Sequence, residues 1–281
     1  MTIGIGVLCS SKIRPHPTRP DGIILMADTM GSTDTDSTPE LHKLCVDDDI
    51  YAVCAGKVEF ASEIISVFKQ ELAQIPSRTL GNVWEALNRA VHEHRMAHFK
   101  WDCLVPKYSF TPGAIFESQH QNVVNDWQKY DSGTSLLISV FHHSGIALLF
   151  LVGPAQGTDG WVHSCQYPGY WAIGSGAQNA VSWLNFRCQQ LGLSPKQSIY
   201  HAYEARVMAN MAPTVNRDVE MLVAFANRHY VLTAEKPEIE GCPISLPELR
   251  SLYGKLGPQN TNELGHKIAR VGSRGRAGRE H

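Results

Sequence analysis

Short apolar segments alternate with segments whose apolar residues recur every three to four positions, from residue 2 to about residue 234. The short segments are bounded by residues that favour turns, and this pattern predicts β-strands. Strands are predicted for residues 2–9, 22–28, 41–46, 50–54, 135–141, 146–152, 161–165, 170–173, 219–226 and 230–234.

Helical spacing of apolar residues predicts two pairs of consecutive helices, one in each half of the chain. The predicted helices run from residue 57 to the residue before Pro76, from the capping Thr79 to about His98, from 177 to 191, and from Pro195 towards Asn210. Two sheets packed together, with helices on their outer sides, satisfy this order of elements, which places the chain in the α+β class.

Two regions depart from this regular pattern. Residues 100–133 mix aromatic residues with amides, Pro and Gly without a clean period, and we interpret them as an irregular insertion in a domain of residues 1–235. The insertion could cover a cleft, form subunit contacts or lie on the surface. Residues 236–281 form a predicted C-terminal extension with a short helix at 245–253 and a basic, partly disordered end.

Composition narrows the class of protein further. Of the 281 residues 43% are hydrophobic and 19% charged, which are globular values and exclude a wholly disordered chain. The formal net charge of −2 gives no reason to expect a nucleic-acid partner. The seven cysteines form no C-x-x-C pair, which indicates reduced thiols. Without a secretory pattern or a membrane-length apolar run, we expect a soluble cytoplasmic protein with no membrane partner.

Candidate chemistry begins at the first two residues. Removal of Met1 would leave Thr2 with a hydroxyl and a free α-amine. The amine has a reference pKa of about 7.7–8.0 and can act as the base for its own hydroxyl. Asp28 ends an apolar strand, and Lys43 stands fifteen residues later at the start of another. An anion and a cation of this kind are what such a nucleophile needs around it.

Together with an Ala55-Gly56 turn before a helix and a later Gly174-Ser175-Gly176 turn, these features resemble a proteasome-type β subunit of the N-terminal nucleophile hydrolase superfamily. The resemblance covers most of residues 2–235. It implies a four-layer αββα sandwich of the N-terminal nucleophile hydrolase type.

The resemblance also implies roles for individual residues. Thr2 is the nucleophile, Lys43 lowers the cost of negative charge on its hydroxyl, and Asp28 holds that lysine in place. The backbone N–H of Gly56 stabilises the oxyanion, and Ser175 hydrogen-bonds the amine and shuttles its proton. Each residue alone also fits a structural role, as a strand-end cap, surface charge, tight turn or helix cap; the set and its order favour the site.

Two further segments bear on this resemblance. Ser32 and Thr33 lie in the polar stretch 31–39, which lines the substrate cleft in the family but equally fits a solvated loop. Where the family supports its serine with Asp and, three residues later, Ser, this chain has Arg206 and Ala209, with Glu204 as a substitute about half a turn away. A cation at this position cannot polarise Ser175 in the way that the family's aspartate does, so this departure counts against the part of the catalytic site that supports Ser175.

The resemblance therefore implies a threonine-type peptidase or amide hydrolase that acts on peptides or unfolded proteins within a proteasome-like homo-oligomer, with an ATP-dependent unfoldase left open. The alternatives are an inactive scaffold subunit and a small-molecule amidase of the same superfamily. No cofactor is implied. No metal site is predicted either: His94 and His98, four residues apart, are interpreted as exposed helix histidines, and residues 47–49 as a solvated acidic turn.

Overall fold

The computed structural model describes residues 3–11, 19–28, 43–108, 117–153, 161–209 and 219–257. Of the candidate residues, Thr2, Ser32 and Thr33 lie outside these ranges. Asp28, Lys43, Gly56 and Ser175 lie inside them.

The strands are β1 (Ile3–Cys9), β2 (Gly22–Asp28), β3 (Leu44–Asp47), β4 (Ile50–Ala55), β5 (Ser135–Phe141), β6 (Ala147–Val152), β7 (Val162–Ser164), β8 (Tyr170–Gly174), β9 (Val219–Phe225) and β10 (Arg228–Leu232). They form two five-stranded antiparallel sheets. The first sheet has the order β10-β9-β2-β1-β8, and the second sheet has the order β3-β4-β5-β6-β7.

The predicted helix pairs are present. The helices are α1 (Val58–Gln74), α2 (Leu80–Phe99), α3 (Val105–Tyr108), α4 (Glu117–Lys129), α5 (Ala177–Phe186), α6 (Pro195–Ala209) and α7 (Leu246–Leu256), with a π-helical turn at Lys100–Leu104 between α2 and α3. Thr79 caps α2, as predicted, by accepting a hydrogen bond from the backbone N–H of Asn82. Within the described ranges, no helix combines the length and apolar character needed to cross a bilayer.

Three apolar clusters hold these elements together. Side chains of β1 that point to opposite faces of the first sheet belong to two different clusters. Ile3, Ile5 and Val7 pack against α5 and α6, whereas Leu8 belongs to a cluster shared by the two sheets. The third cluster lies between the second sheet and the pair α1 and α2. The molecule is thus of mixed α and β structure, with each sheet contacting the other sheet and a pair of helices.

A glycine sets the close approach of the sheets near the start of β1. A Cβ built on Gly4 would lie 2.9 Å from a side-chain carbon of Ile173 and 3.0 Å from one of Val53. The two neighbours belong to β8 and to β4 in the opposite sheet. A larger residue here would push apart the strands that carry the candidate site.

The structure differs from the sequence-based expectation in two places. The region predicted as irregular, 100–133, contains α3 and α4, and Trp127 of α4 packs edge-on against Phe99 of α2 with ring centroids 5.2 Å apart. Helix α5 ends at Phe186 instead of residue 191, because Cys188 takes a left-handed conformation (φ 52°). The division of the chain at residue 235 stays a prediction.

Candidate active site

A buried ion pair lies at the end of β2 beside the start of β1. The Nζ atom of Lys43 is 2.8 Å from Oδ1 of Asp28, and the side chains are 4% and 0% exposed. The same Oδ1 accepts a hydrogen bond of 3.1 Å from the backbone N–H of Ile3. Oδ2 of Asp28 is buried and has no hydrogen-bond partner among the described residues. Within the part of the chain that the structure describes, one acceptor of the pair is therefore left unpaired.

The hairpin of β3 and β4 positions Lys43. Its carbonyl accepts a hydrogen bond of 3.0 Å from the N–H of Cys54, which fixes the backbone just before β3 begins. Burial raises the pKa of the Cys54 thiol to about 11, and the positive charge of Lys43 opposes this rise. A neutral thiol beside the lysine leaves Asp28 as the anion that holds the ammonium group.

The turn at Gly56 follows β4 and leads into α1. Gly56 is exposed and has a φ of +103°. A Cβ at this position would lie 2.0 Å from the carbonyl oxygen of Gly133. Both the backbone conformation and the contact therefore require glycine here. The prediction of a tight turn before a helix at this position is confirmed.

The Gly174-Ser175-Gly176 turn stands at the other side of β1. Gly174 ends β8 and pairs with Ile3, whose N–H contacts Asp28. Ser175 is exposed, and α5 begins just after Gly176. The pairing of β1 with β2 and β8 thus brings Asp28, Lys43 and the Ser175 turn to the same end of the first sheet.

An open groove of about 790 Å³ runs beside this end. Ser175, Trp171 and the start of α5 line this groove together with Ser135 of β5. Ser135 is the strand partner of Ala55, which directly precedes Gly56. The groove therefore adjoins the turn that carries Ser175 and the strand that pairs with the end of β4, just before Gly56.

The two residues that depart from the family pattern occupy the end of α6. Ala209 is buried and packs against the serine turn, since a Cβ on Gly176 would lie 2.7 Å from that of Ala209. Arg206, one turn earlier, is 2% exposed. These positions agree with the sequence-based match of Ala209 to a residue beside the turn.

Glu204 does not support Ser175, which corrects the substitute proposed from the sequence. Its carboxylate accepts two hydrogen bonds from the Arg187 guanidinium, at 2.6 and 2.5 Å, and others from Tyr200 and Trp183. The hydrogen bond to Glu204 raises the pKa of Arg187. Glu204 is therefore a structural anion between α5 and α6.

Sequence reasoning also missed one cluster outside this site. His94 was expected to be an exposed helix histidine but is 4% exposed, and it faces Glu63 of α1 together with His98. The spacing of the two histidines on α2 was a visible signal. The partner carboxylate was not, because it depends on how α1 packs against α2.

Comparison with known proteins adds information on the fold. No protein-family model and no curated protein sequence matches the chain. The structure is similar to that of the Anbu (Gly-1) mutant from Hyphomicrobium sp. strain MC1, with a TM-score of 0.60, 11% identity and coverage of 96% of this chain and 97% of that one. It is also similar to Anbu (ancestral beta-subunit) from Yersinia bercovieri, with a TM-score of 0.56, 14% identity and coverage of 90% and 93%. At these identities the similarity defines a proteasome-like fold, and the chemistry must be argued from the residues.

Proposed function

We propose that this chain is an N-terminal nucleophile hydrolase of the threonine type, with the four-layer αββα sandwich of that superfamily. The observation that carries the proposal is the buried ion pair of Asp28 and Lys43, which contacts the backbone N–H of Ile3 at the start of β1. A peptide bond of about 1.33 Å ties Thr2 to that nitrogen. The two sheets, which contact each other and a pair of helices each through three apolar clusters, support the fold assignment, as does the similarity to a protein described as an ancestral beta-subunit.

In the proposed reaction the Thr2 hydroxyl attacks an amide carbonyl carbon, and the α-amine of the same residue accepts the hydroxyl proton. The C–O bond forms as the carbonyl becomes an oxyanion, which the N–H of Gly56 stabilises. Collapse of the intermediate breaks the C–N bond, and the leaving amine takes the proton from the α-amine. Water then hydrolyses the ester to return the free hydroxyl. Ser175 helps to move the proton at the amine.

Burial gives the ion pair its role in this scheme. Negative charge that develops on the Thr2 hydroxyl is stabilised by the Lys43 ammonium, whose field is less screened inside the protein than in water. Asp28 orients the ammonium through Oδ1 and keeps the site close to neutral before reaction. No metal ion or cofactor takes part in these steps.

The groove lined by Ser175 and Ser135, about 790 Å³ in volume, supports an extended peptide or unfolded polypeptide as substrate, since a segment of such a chain fits a cavity of this size. Ser32 and Thr33 are proposed to line the cleft. We further propose that the protein forms a homo-oligomer, which agrees with the description of the Yersinia bercovieri structure as a beta-subunit, and that it is cytoplasmic. An unfoldase partner would supply such an assembly with unfolded chains.

A second candidate function is that of an inactive scaffold subunit, and the buried Arg206 favours it. A guanidinium group at this position cannot accept a hydrogen bond, so it cannot polarise a serine in the way a carboxylate does. The intact Asp28–Lys43 pair favours the active enzyme. A small-molecule amidase is the third candidate and would show activity on small amides but not on peptides.

Intact mass of the purified protein, before and after incubation with a peptide electrophile specific for N-terminal threonine, tests the proposal. We expect loss of Met1 and a single adduct on Thr2. Thr2→Ser keeps both reacting groups and should still react, whereas Thr2→Ala should not. Retention of Met1, or a free Thr2 that stays unmodified, would overturn the proposal of an active hydrolase and favour the inactive scaffold subunit.

A further inference from the structure

A second group of ionisable side chains, from α1 and α2, converges where these two helices meet. Oε2 of Glu63 lies 3.0 Å from Nδ1 of His94 and 2.7 Å from Nε2 of His98. One ligand atom from each residue can be chosen such that all three lie within 4.8 Å of one another. We call this group the Glu63–His94–His98 cluster.

Helix geometry explains why the three residues meet. His94 and His98 are four residues apart on α2, so their imidazoles lie on one face, with ring centroids 4.4 Å apart. Glu63 is near the beginning of α1, and α2 ends beside it. The Phe60 ring packs against both imidazoles, at centroid distances of 5.1 and 4.2 Å. The rings are therefore held in place by packing as well as by Glu63.

The cluster has donor atoms of the kinds that a metal ion requires, since imidazole nitrogens and carboxylate oxygens are both zinc ligands. Nδ1 of His94 and Nε2 of His98 both lie within hydrogen-bond distance of the same Glu63 oxygen. A bound ion would take the place of the hydrogens that bridge these atoms.

We propose that the Glu63–His94–His98 cluster binds a divalent transition-metal ion, such as Zn²⁺, and thereby clamps the start of α1 to the end of α2. Ligands of a tetrahedral zinc ion at about 2.1 Å lie about 3.4 Å from each other. The present separations from the carboxylate oxygen to the two nitrogens, 3.0 and 2.7 Å, need only small side-chain shifts to admit an ion. Water completes the fourth position.

The surroundings give this metal a structural role instead of a hydrolytic one. In the helical zinc motif of peptidases, a glutamate general base directly follows the first histidine. Here that residue is Arg95, whose guanidinium stacks on Trp127 and Trp161. Nε2 of His94 is buried without a hydrogen-bond partner among the described residues. Loss of such an outer contact lowers metal affinity about 10- to 100-fold, so we expect reversible binding.

Titration of the metal-free full-length protein with ZnCl₂, followed by calorimetry, tests the site. We expect His98→Ala and Glu63→Gln to bind one zinc equivalent fewer than the wild type, or to bind it at least about 10-fold more weakly. Zinc should raise the melting temperature of the wild type more than that of either variant. His92→Ala is the matched control, because His92 is an exposed histidine of the same helix and lies outside the cluster.

Circular dichroism of each variant before titration establishes that it is folded. Substitution of Co²⁺ for Zn²⁺ gives a second readout, since visible absorption bands report nitrogen and oxygen ligands. Equal zinc stoichiometry and affinity in the wild type, His98→Ala and Glu63→Gln would overturn the proposal. So would loss of the same zinc equivalent in the His92→Ala control.

Discussion

Replacement of Lys43 by Met should destabilise the protein strongly, because it leaves the Asp28 carboxylate buried without its counter-charge. Two unit charges 2.8 Å apart attract each other by about 6 kcal/mol at an effective dielectric constant of about 20. Relaxation and water entry reduce the net effect, so we expect the free energy of unfolding to fall by about 3–5 kcal/mol. Met has nearly the length of Lys, so little packing is lost.

Urea denaturation at pH 7 and a fixed protein concentration, followed by tryptophan fluorescence, measures this change. The double variant Asp28→Asn/Lys43→Met removes both charges and keeps an acceptor for the Ile3 N–H. We expect it to recover at least about 2 kcal/mol relative to Lys43→Met. Lys69→Met is the matched control, since Lys69 is 44% exposed and pairs with exposed acids, and it should cost under about 1 kcal/mol.

The comparison of these variants decides whether water is excluded from the Asp28–Lys43 ion pair. A cost of less than about 1 kcal/mol for Lys43→Met, equal to that of the exposed control, would refute the reasoning, because it would mean that water replaces the lysine at Asp28. A double variant no more stable than Lys43→Met would refute it as well. The loss would then come from packing and not from an uncompensated charge.

Three further predictions concern turns and titration. Cys188→Gly should raise the free energy of unfolding by about 0.5–1 kcal/mol, measured by urea denaturation, because Cys188 is exposed and left-handed at the end of α5; a loss of stability would contradict this. Gly56→Ala should lower the free energy of unfolding by about 1–3 kcal/mol, because the Cβ of the alanine would collide with the Gly133 carbonyl oxygen. An unchanged urea denaturation midpoint would contradict the described turn. Burial lowers the pKa of His201, so the stability that the neutral imidazole contributes is present above the ordinary histidine pKa and is lost as the pH falls below it. The difference in free energy of unfolding between the wild type and His201→Gln, measured by urea denaturation, should therefore shrink from pH 7.5 to 5.5. A difference that grows over this range would contradict the prediction.

Features set by local sequence could be predicted well. Ser245, expected to lie at the start of a short helix, caps α7 by accepting from the N–H of Glu248, three residues on. Hairpins such as β3 and β4 follow from two apolar segments separated by a short acidic turn. In each case the decisive interactions join residues close in the chain, so the pattern alone carries the information.

Features set by packing between distant elements could not be predicted. The sequence pattern predicts a helix α5 that is five residues too long, because nothing near Cys188 marks a helix end in the way a glycine does. The helix ends there with hydrogen bonds from the N–H of Cys188 to the carbonyl of Asn185 and from the N–H of Gln189 to that of Leu184. The partner of His94 and His98 is thirty-one residues before the first of them. Its position depends on the register of α1 against α2.

Asp28 and Glu204, whose carboxylates are fully buried, differ in how completely their oxygens are paired, and this difference separates a structural group from a candidate catalytic one. Both oxygens of Glu204 are occupied, by donors from Arg187, Tyr200 and Trp183. At Asp28 one oxygen has two donors and the other has none among the described residues. An unpaired buried acceptor costs about 1–3 kcal/mol. Among the described residues, this unpaired acceptor lies beside the start of β1, and it supports the proposal of an active site there over that of an inactive scaffold.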